Sequence, residues 1–458
     1  MASKGHGGCG AGAETEAAAE GRSRGRNRDR KPEPQPRTGA ESLGAVVWAE
    51  SCDNDPAMPL KPMPMDRRRS AREILTIEEY VTLSAKINYQ LSARSLNRHA
   101  LLALLLGNAE VEEEEREILL EAFAVMQEGY GQDRRRLGTP GILHPLRVVA
   151  ILCRAIRKPS LMHLLGALLH DKEEDLTEAE LGRERFERMQ RRYEMLVAAL
   201  GTSRAGPLAE RIRYLSNLGT ATYEEYLGRL LDGAKVMPDL LHVKLCDRLD
   251  NTFDINLQHP GVTRYNFYRA VFDILFLPRF HGVEMGGVHF MPETDEGVML
   301  LSQLFKDLIF LVLLRSEGLD QGDEVAQRLS VGLAVAGIRE AQWLALESFN
   351  TCVTDVGRQR ALLREVMAYC TGGGIEAVTP REAGGELDGM LLRTFTAQQD
   401  GMRREMLREL FENRELLTRM VLTFIVVFAA FINDPHYTIR GIDRTGLHPH
   451  LVTPPPKE

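Results

Sequence analysis

The chain has 458 residues, with 57 basic and 65 acidic side chains and a net charge of −8. Its length suits two or three domains, and 44% hydrophobic with 27% charged residues is the composition of an ordinary water-soluble protein. The mild acidity excludes a protein whose main task is gripping a nucleic-acid backbone, but it leaves room for one small anionic ligand in a local basic pocket. Six cysteines (Cys9, Cys52, Cys153, Cys246, Cys352 and Cys370) lie far apart with no C-x-x-C pair. They read as reduced thiols of a cytoplasmic protein, neither a disulfide framework nor a zinc knuckle.

Residues 1–70 are expected to be a disordered tail. The first 42 residues contain no Leu, Ile, Val, Phe, Tyr or Trp, so there is almost nothing to bury and no apolar segment for a signal peptide. The arginines at 22, 24, 26, 28 and 30 read as a solvated tail, and Met58 and Met65 are alternative start positions. From Ile74 onward the pattern becomes helical. Apolar residues recur at three- and four-residue steps through EEYVTLSAKINYQLSARSLNRHALLALLL, EEEEREILLEAFAVMQEGY, HPLRVVAILCRAI, SLMHLLGALLHDKEEDL, FERMQRRYEMLVAAL, YEEYLGRLL and LLHVKLCDRLDNTFDI. No alternating pattern competes, so the fold class is all-α. Breaks are expected at LGTPG (137–141), GTSRAGP (201–207) and HGVEMGG (281–287).

These patterns divide the chain into a tail (1–70), a helical domain (71–316) and a helical C-terminal region (317–458) interrupted by CTGGGIEAVTPREAGG. Within the last region Met420–Ile432 is a 13-residue run without a charge. At 1.5 Å per residue it spans about 20 Å against the roughly 30 Å of a bilayer core. It is therefore assigned to a core or homo-oligomer interface, not a membrane span.

Four pieces of sequence carry chemistry: His144 in ILHPLRV, His170-Asp171, Glu174-Asp175, and Asp247 in VKLCDRLDN. If HDKEED is helical, Glu174 follows His170 by one turn and Asp175 follows Asp171 by one turn; Asn251 stands likewise after Asp247. Two neutral imidazoles and two carboxylates would neutralise one divalent ion and leave positions for water and a phosphate oxygen, a set suited to Mn²⁺ or a similar metal. Glu174 and Asp175 would remain to orient or deprotonate the water. His163 and His242, each on an apolar helix, read as hydrogen-bonded structural residues.

At these residues the chain resembles the HD-domain metal phosphohydrolases, and is most similar to the hydrolase domain of RelA/SpoT-type alarmone enzymes. RRLGTPGILHP (135–145), ALLHDKEED (167–175) and VKLCDRLDN (243–251) carry the likeness, within a motif core of about residues 115–280. The resemblance implies that His144, His170, Asp171 and Asp247 hold Mn²⁺ and that Glu174 and Asp175 activate water. It also implies that Arg135 packs on a guanine base and that Asn251 lines the nucleotide pocket. The implied reaction removes the 3′-pyrophosphate of (p)ppGpp, giving GDP or GTP and pyrophosphate. The chain departs from the family pattern at Gly141, Leu137, Asp250 and Asp254. Nothing resembles the synthetase domain of the long alarmone enzymes, so no alarmone synthesis is expected. The same metal set would also serve another nucleotide or phosphate ester, or a nucleotide-responsive regulatory module that recruits a partner through the C-terminal helices.

Overall fold

The computed structural model describes residues 74–93, 96–131, 140–217, 222–258, 294–371, 400–437, 439 and 442–447. The expected tail at 1–70, Arg135, the break at 281–287 and most of the glycine-rich interruption after Cys370 lie outside them. The helices run in the order α1 (Ile77–Ser92), α2 (Arg98–Leu106), α3 (Glu113–Tyr130), α4 (Leu143–Ala155), α5 (Leu161–Leu169), α6 (Lys172–Asp175), α7 (Glu178–Leu181) and α8 (Arg183–Leu200). They continue with α9 (Thr202–Leu215), α10 (Tyr223–Ala234), α11 (Asp239–Gln258), α12 (Thr294–Ser316), α13 (Glu324–Thr351), α14 (Val356–Thr371), α15 (Asp400–Glu412) and α16 (Arg414–Asn433). A two-residue hairpin, β1 (Ile442–Asp443) with β2 (Gly446–Leu447), is the one sheet among the described residues. The fold is all-α.

Local chemistry explains where the helices start. Thr76 and Glu79 close a capping box on α1, and Thr222 with Glu225 closes another on α10. Pro145 falls in the first turn of α4, where its missing N–H has no intrahelical partner to lose. The break expected at 201–207 contracts to Gly201, whose φ of +72° turns the chain from α8 into α9.

Helix α11 is the hub. It packs against α4, α5, α10 and α13, while α13 lies along α16. All described residues belong to one packing unit, Pro64–Glu458, so the boundary expected at 316/317 separates no packing units. Polar ties cross it as well: buried Arg403 of α15 donates to Glu224 of α10 at 2.9 Å, and Arg444 of the hairpin donates to Asp232 at 2.6 Å. A helical period shows that a face must be covered but not which helix covers it.

The 13-residue apolar run sits within the 20-residue helix α16. At 1.5 Å per residue that helix is about 30 Å long, so the argument from insufficient length fails. Burial decides instead. Both described helices long and apolar enough to cross a membrane, Gly297–Ser316 and Arg414–Asn433, are mostly buried in protein. Phe424 and Phe428 of α16 stack at 6.1 Å between centroids, and Phe305 of α12 meets Phe424 edge-on at 4.9 Å. Gly337 of α13 lets the α16 ring approach, since a Cβ there would lie 2.8 Å from Phe428. Gly337→Val is therefore expected to destabilise the protein by about 1–3 kcal/mol through overpacking, read from its urea midpoint. An unchanged midpoint would mean that the α13–α16 seam is loose.

His163 and His242 find partners as expected. His163 Nδ1 lies 2.8 Å from Ser160 Oγ and its Nε2 3.1 Å from His242 Nδ1, while His242 Nε2 is 2.7 Å from Asp323, the N-cap of α13. Burial pushes the His163 imidazole down to about 4, with Asp239 and Asp323 opposing and His242 and Arg211 assisting. Because this lies below the unfolded value near 6.5, the unfolded chain binds the extra proton between those limits. The contribution is thus intact above about pH 6.5 and is lost as pH falls toward 4, by no more than about 3 kcal/mol. His163→Gln should flatten the decline in stability between pH 7 and 4.5; a parallel decline in both proteins would exclude His163 as its source.

Candidate metal centre

Three helix ends and one helix interior bring the four candidate ligands together. His144 is the second residue of α4. His170 closes α5, and Asp171 caps α6 with φ −90° and ψ 5°. The helix thus breaks between them, so HDKEED is not one continuous helix and the one-turn spacing from His170 to Glu174 does not describe the site. The bend itself aims the imidazole and the carboxylate at one point. Asp247 faces that point from the middle of α11.

His144 Nε2 lies 3.1 Å from His170 Nε2, 3.2 Å from Asp247 Oδ1 and 3.3 Å from Asp171 Oδ2. His170 Nε2 lies 3.1 Å from Asp171 Oδ1 and 3.6 Å from Asp247 Oδ1. His144, His170 and Asp247 are buried and meet the spacing of a metal-binding group. Hydrogen-bond partners assign the tautomers. His144 Nδ1 gives its proton to Asp250 Oδ2 at 2.6 Å, and His170 Nδ1 gives its proton to the Ala167 carbonyl at 2.9 Å. Both Nε2 lone pairs then face each other, with two carboxylates beside them. A proton on one imidazole or a cation at the shared point would relieve this arrangement, and the donor set fits a divalent metal ion.

The electrostatics show how strongly the carboxylates favour positive charge at this point, which without a metal falls on His170 as a proton. Burial works against a charged His170, but Asp171 and Asp247 overcome it and hold the imidazole well above its usual range. Burial also opposes ionisation of Asp247, yet Lys244 and the two imidazoles hold its carboxyl well below the usual range. Asp171 is likewise driven below that range, by His170 and His144 against burial.

Glu174 stands beside this set. Its carboxylate accepts the Asn217 backbone N–H, and burial followed by the Asp171 charge raises its pKa. Asp175 accepts the Tyr130 hydroxyl at 2.8 Å, tying α6 to α3. Asn251 Nδ2 donates to Asp247 Oδ1 at 2.7 Å, so its amide holds a candidate ligand in place. Arg135, the expected base-stacking residue, lies outside the described residues.

The support around the ligands was less visible in the sequence. Asp250, a departure from the family pattern, orients His144 and also accepts Arg147 Nε at 2.8 Å and the Tyr80 hydroxyl at 2.9 Å. Asp254, the other departure on α11, pairs with Arg147 at 2.9 Å. Lys244 lies 2.8 Å from Asp247 Oδ2. The available signal was spacing: residues 247, 250, 251 and 254 recur at three- and four-residue steps, which puts four polar side chains on one face of a helix. Comparison with family models, with curated proteins and with solved structures finds no match to the chain.

Proposed function

We propose that the protein is a metal-dependent phosphohydrolase acting on a phosphorylated nucleotide. The first substrate to test is (p)ppGpp, cleaved to GDP or GTP and pyrophosphate. The observation that carries this reading is the convergence of His144, His170, Asp171 and Asp247 on one buried point with Glu174 at its edge. A divalent ion, with Mn²⁺ the first choice, would supply Lewis acidity toward a phosphoryl oxygen and toward water.

The chain's own residues supply the rest. Asp250 and the Ala167 carbonyl fix the imidazole tautomers, and Lys244 and Asn251 hold Asp247. Glu174, with its raised pKa, is the group we assign to accept a proton from the attacking water. Asp175 braces α6 through Tyr130 and so acts on Glu174's position. The guanosine assignment rests on the RelA/SpoT resemblance alone.

The deciding experiment incubates purified protein and Mn²⁺ with ppGpp, other nucleotides and NADPH, reading phosphate and pyrophosphate separately. Pyrophosphate release from ppGpp is the expected result. Phosphate release from another substrate would keep the chemistry and replace the nucleotide. No turnover on any of them, with metal bound, would favour the regulatory-module reading.

A further inference from the structure

The far end of α4 opens on a second cleft, of about 830 Å³, inside the range of small-molecule sites. Part of its lining is apolar: Ile74 and Leu104 are half-buried there, over the buried Leu75, Leu83 and Leu106. Thr82 and Asn108 add exposed hydrogen-bonding groups. Its charged residues are Lys86, Arg154, Arg157 and Arg328, against Glu79 as the one carboxylate lining it among the described residues.

The positive excess survives a check of each cation. Arg157 is neutralised by Glu110 at 2.8 Å. Arg154 spends one N–H on the Ala150 carbonyl at 2.7 Å, and burial draws its guanidinium below the usual range, with Glu79 the carboxylate opposing. Lys86 and Arg328 form no ion pair among the described residues. A polyanion alone would waste the apolar half of the lining, and an acyl chain would have no use for Thr82 and Asn108.

We propose that this cleft binds a nucleoside phosphate, with the base and ribose on Ile74, Leu104 and the polar groups and the phosphates among Lys86, Arg154 and Arg328. Its position suits an effector site. Arg154 is ten residues from His144 on α4, roughly 15 Å along the axis. On α1, Glu79, Thr82 and Lys86 line the cleft, and Tyr80 between them donates to Asp250, the carboxylate that orients His144. An occupant would brace the helix that steadies a candidate ligand. Only this coupling rests on the metal reading; the binding does not.

The test is calorimetric titration of the full chain in EDTA at low salt, using ADP, pyrophosphate and adenosine as probes. ADP should bind to the wild-type chain and equally to Asp247→Asn. Lys86→Glu and Arg328→Glu should each weaken binding about tenfold, the equivalent of about 1.4 kcal/mol. Pyrophosphate and adenosine should each bind at least about tenfold more weakly than ADP. Melting temperatures verify that both surface variants fold. The proposal is overturned by absence of ADP binding up to about 1 mM, or by undiminished binding in the Lys86→Glu/Arg328→Glu double variant. Loss of ADP binding in Asp247→Asn alone would place the nucleotide at the metal centre instead. Pyrophosphate matching ADP would refute the nucleoside part.

Discussion

Asp247→Asn is expected to remove the metal and the activity together. The substitution keeps the side-chain shape but deletes a formal charge from the buried set, and it leaves Lys244, now 2.8 Å from a carboxylate oxygen, facing a neutral amide. Loss of an outer hydrogen-bond partner weakens metal binding by roughly 10–100-fold, and loss of a ligand charge should exceed that. Glu174→Gln should behave differently. Glu174 accepts a backbone N–H at the edge of the set, so metal content should stay near one per chain while turnover falls by about 10²–10⁴. Metal analysis after gel filtration, alongside the rate on whichever substrate is found, separates the two. If Glu174→Gln also strips the metal, Glu174 is a ligand and the division of roles fails. Full metal content in Asp247→Asn would remove Asp247 from the centre.

The second large effect is expected at Arg147, which is fully buried. Its guanidinium binds Asp250 at 2.8 and 3.0 Å and Asp254 at 2.9 Å. The Arg147 guanidinium holds Asp250 down to about 2 despite its burial, with His144 assisting. Arg147→Met preserves much of the volume but strands two carboxylates in the core. Breaking a buried pair from one side typically costs about 3–5 kcal/mol, a large fraction of the stability of most domains. The triple variant Arg147→Met/Asp250→Asn/Asp254→Asn should recover much of that loss, because no uncompensated charge remains. Urea midpoints of the three proteins decide it. An Arg147→Met variant within about 1 kcal/mol of wild type would mean that water reaches the carboxylates.

Asp250 has a second role besides pairing with Arg147. A carboxylate at that position accepts the His144 Nδ1 proton, which fixes the tautomer that turns Nε2 toward the other ligands. The same side chain joins α1 to α11 through Tyr80 and α4 to α11 through Arg147. One residue therefore links metal-site geometry to stability, so variants at Asp250 should be read by metal affinity and unfolding together.

The helical class was legible in the periodicity, because an amphipathic face repeats along each segment whatever it packs against. The residues that come together as candidate ligands stood in short, dense motifs, since the types able to bind a metal are few. Partner choice was not legible. The period of α16 is the same whether it faces lipid, a second chain or its neighbours α12 and α13, and only the fold shows Phe305 and Gly337 packed against its rings. Nor could spacing along HDKEED show that the helix breaks after His170, because the break depends on how α5 and α6 dock. Arg147 and Asp250 are separated by 103 residues. Their union, and the orientation of His144 that follows from it, exists only once α4 lies against α11: buried charges must find each other or destabilise the fold, and that requirement acts through space rather than along the chain.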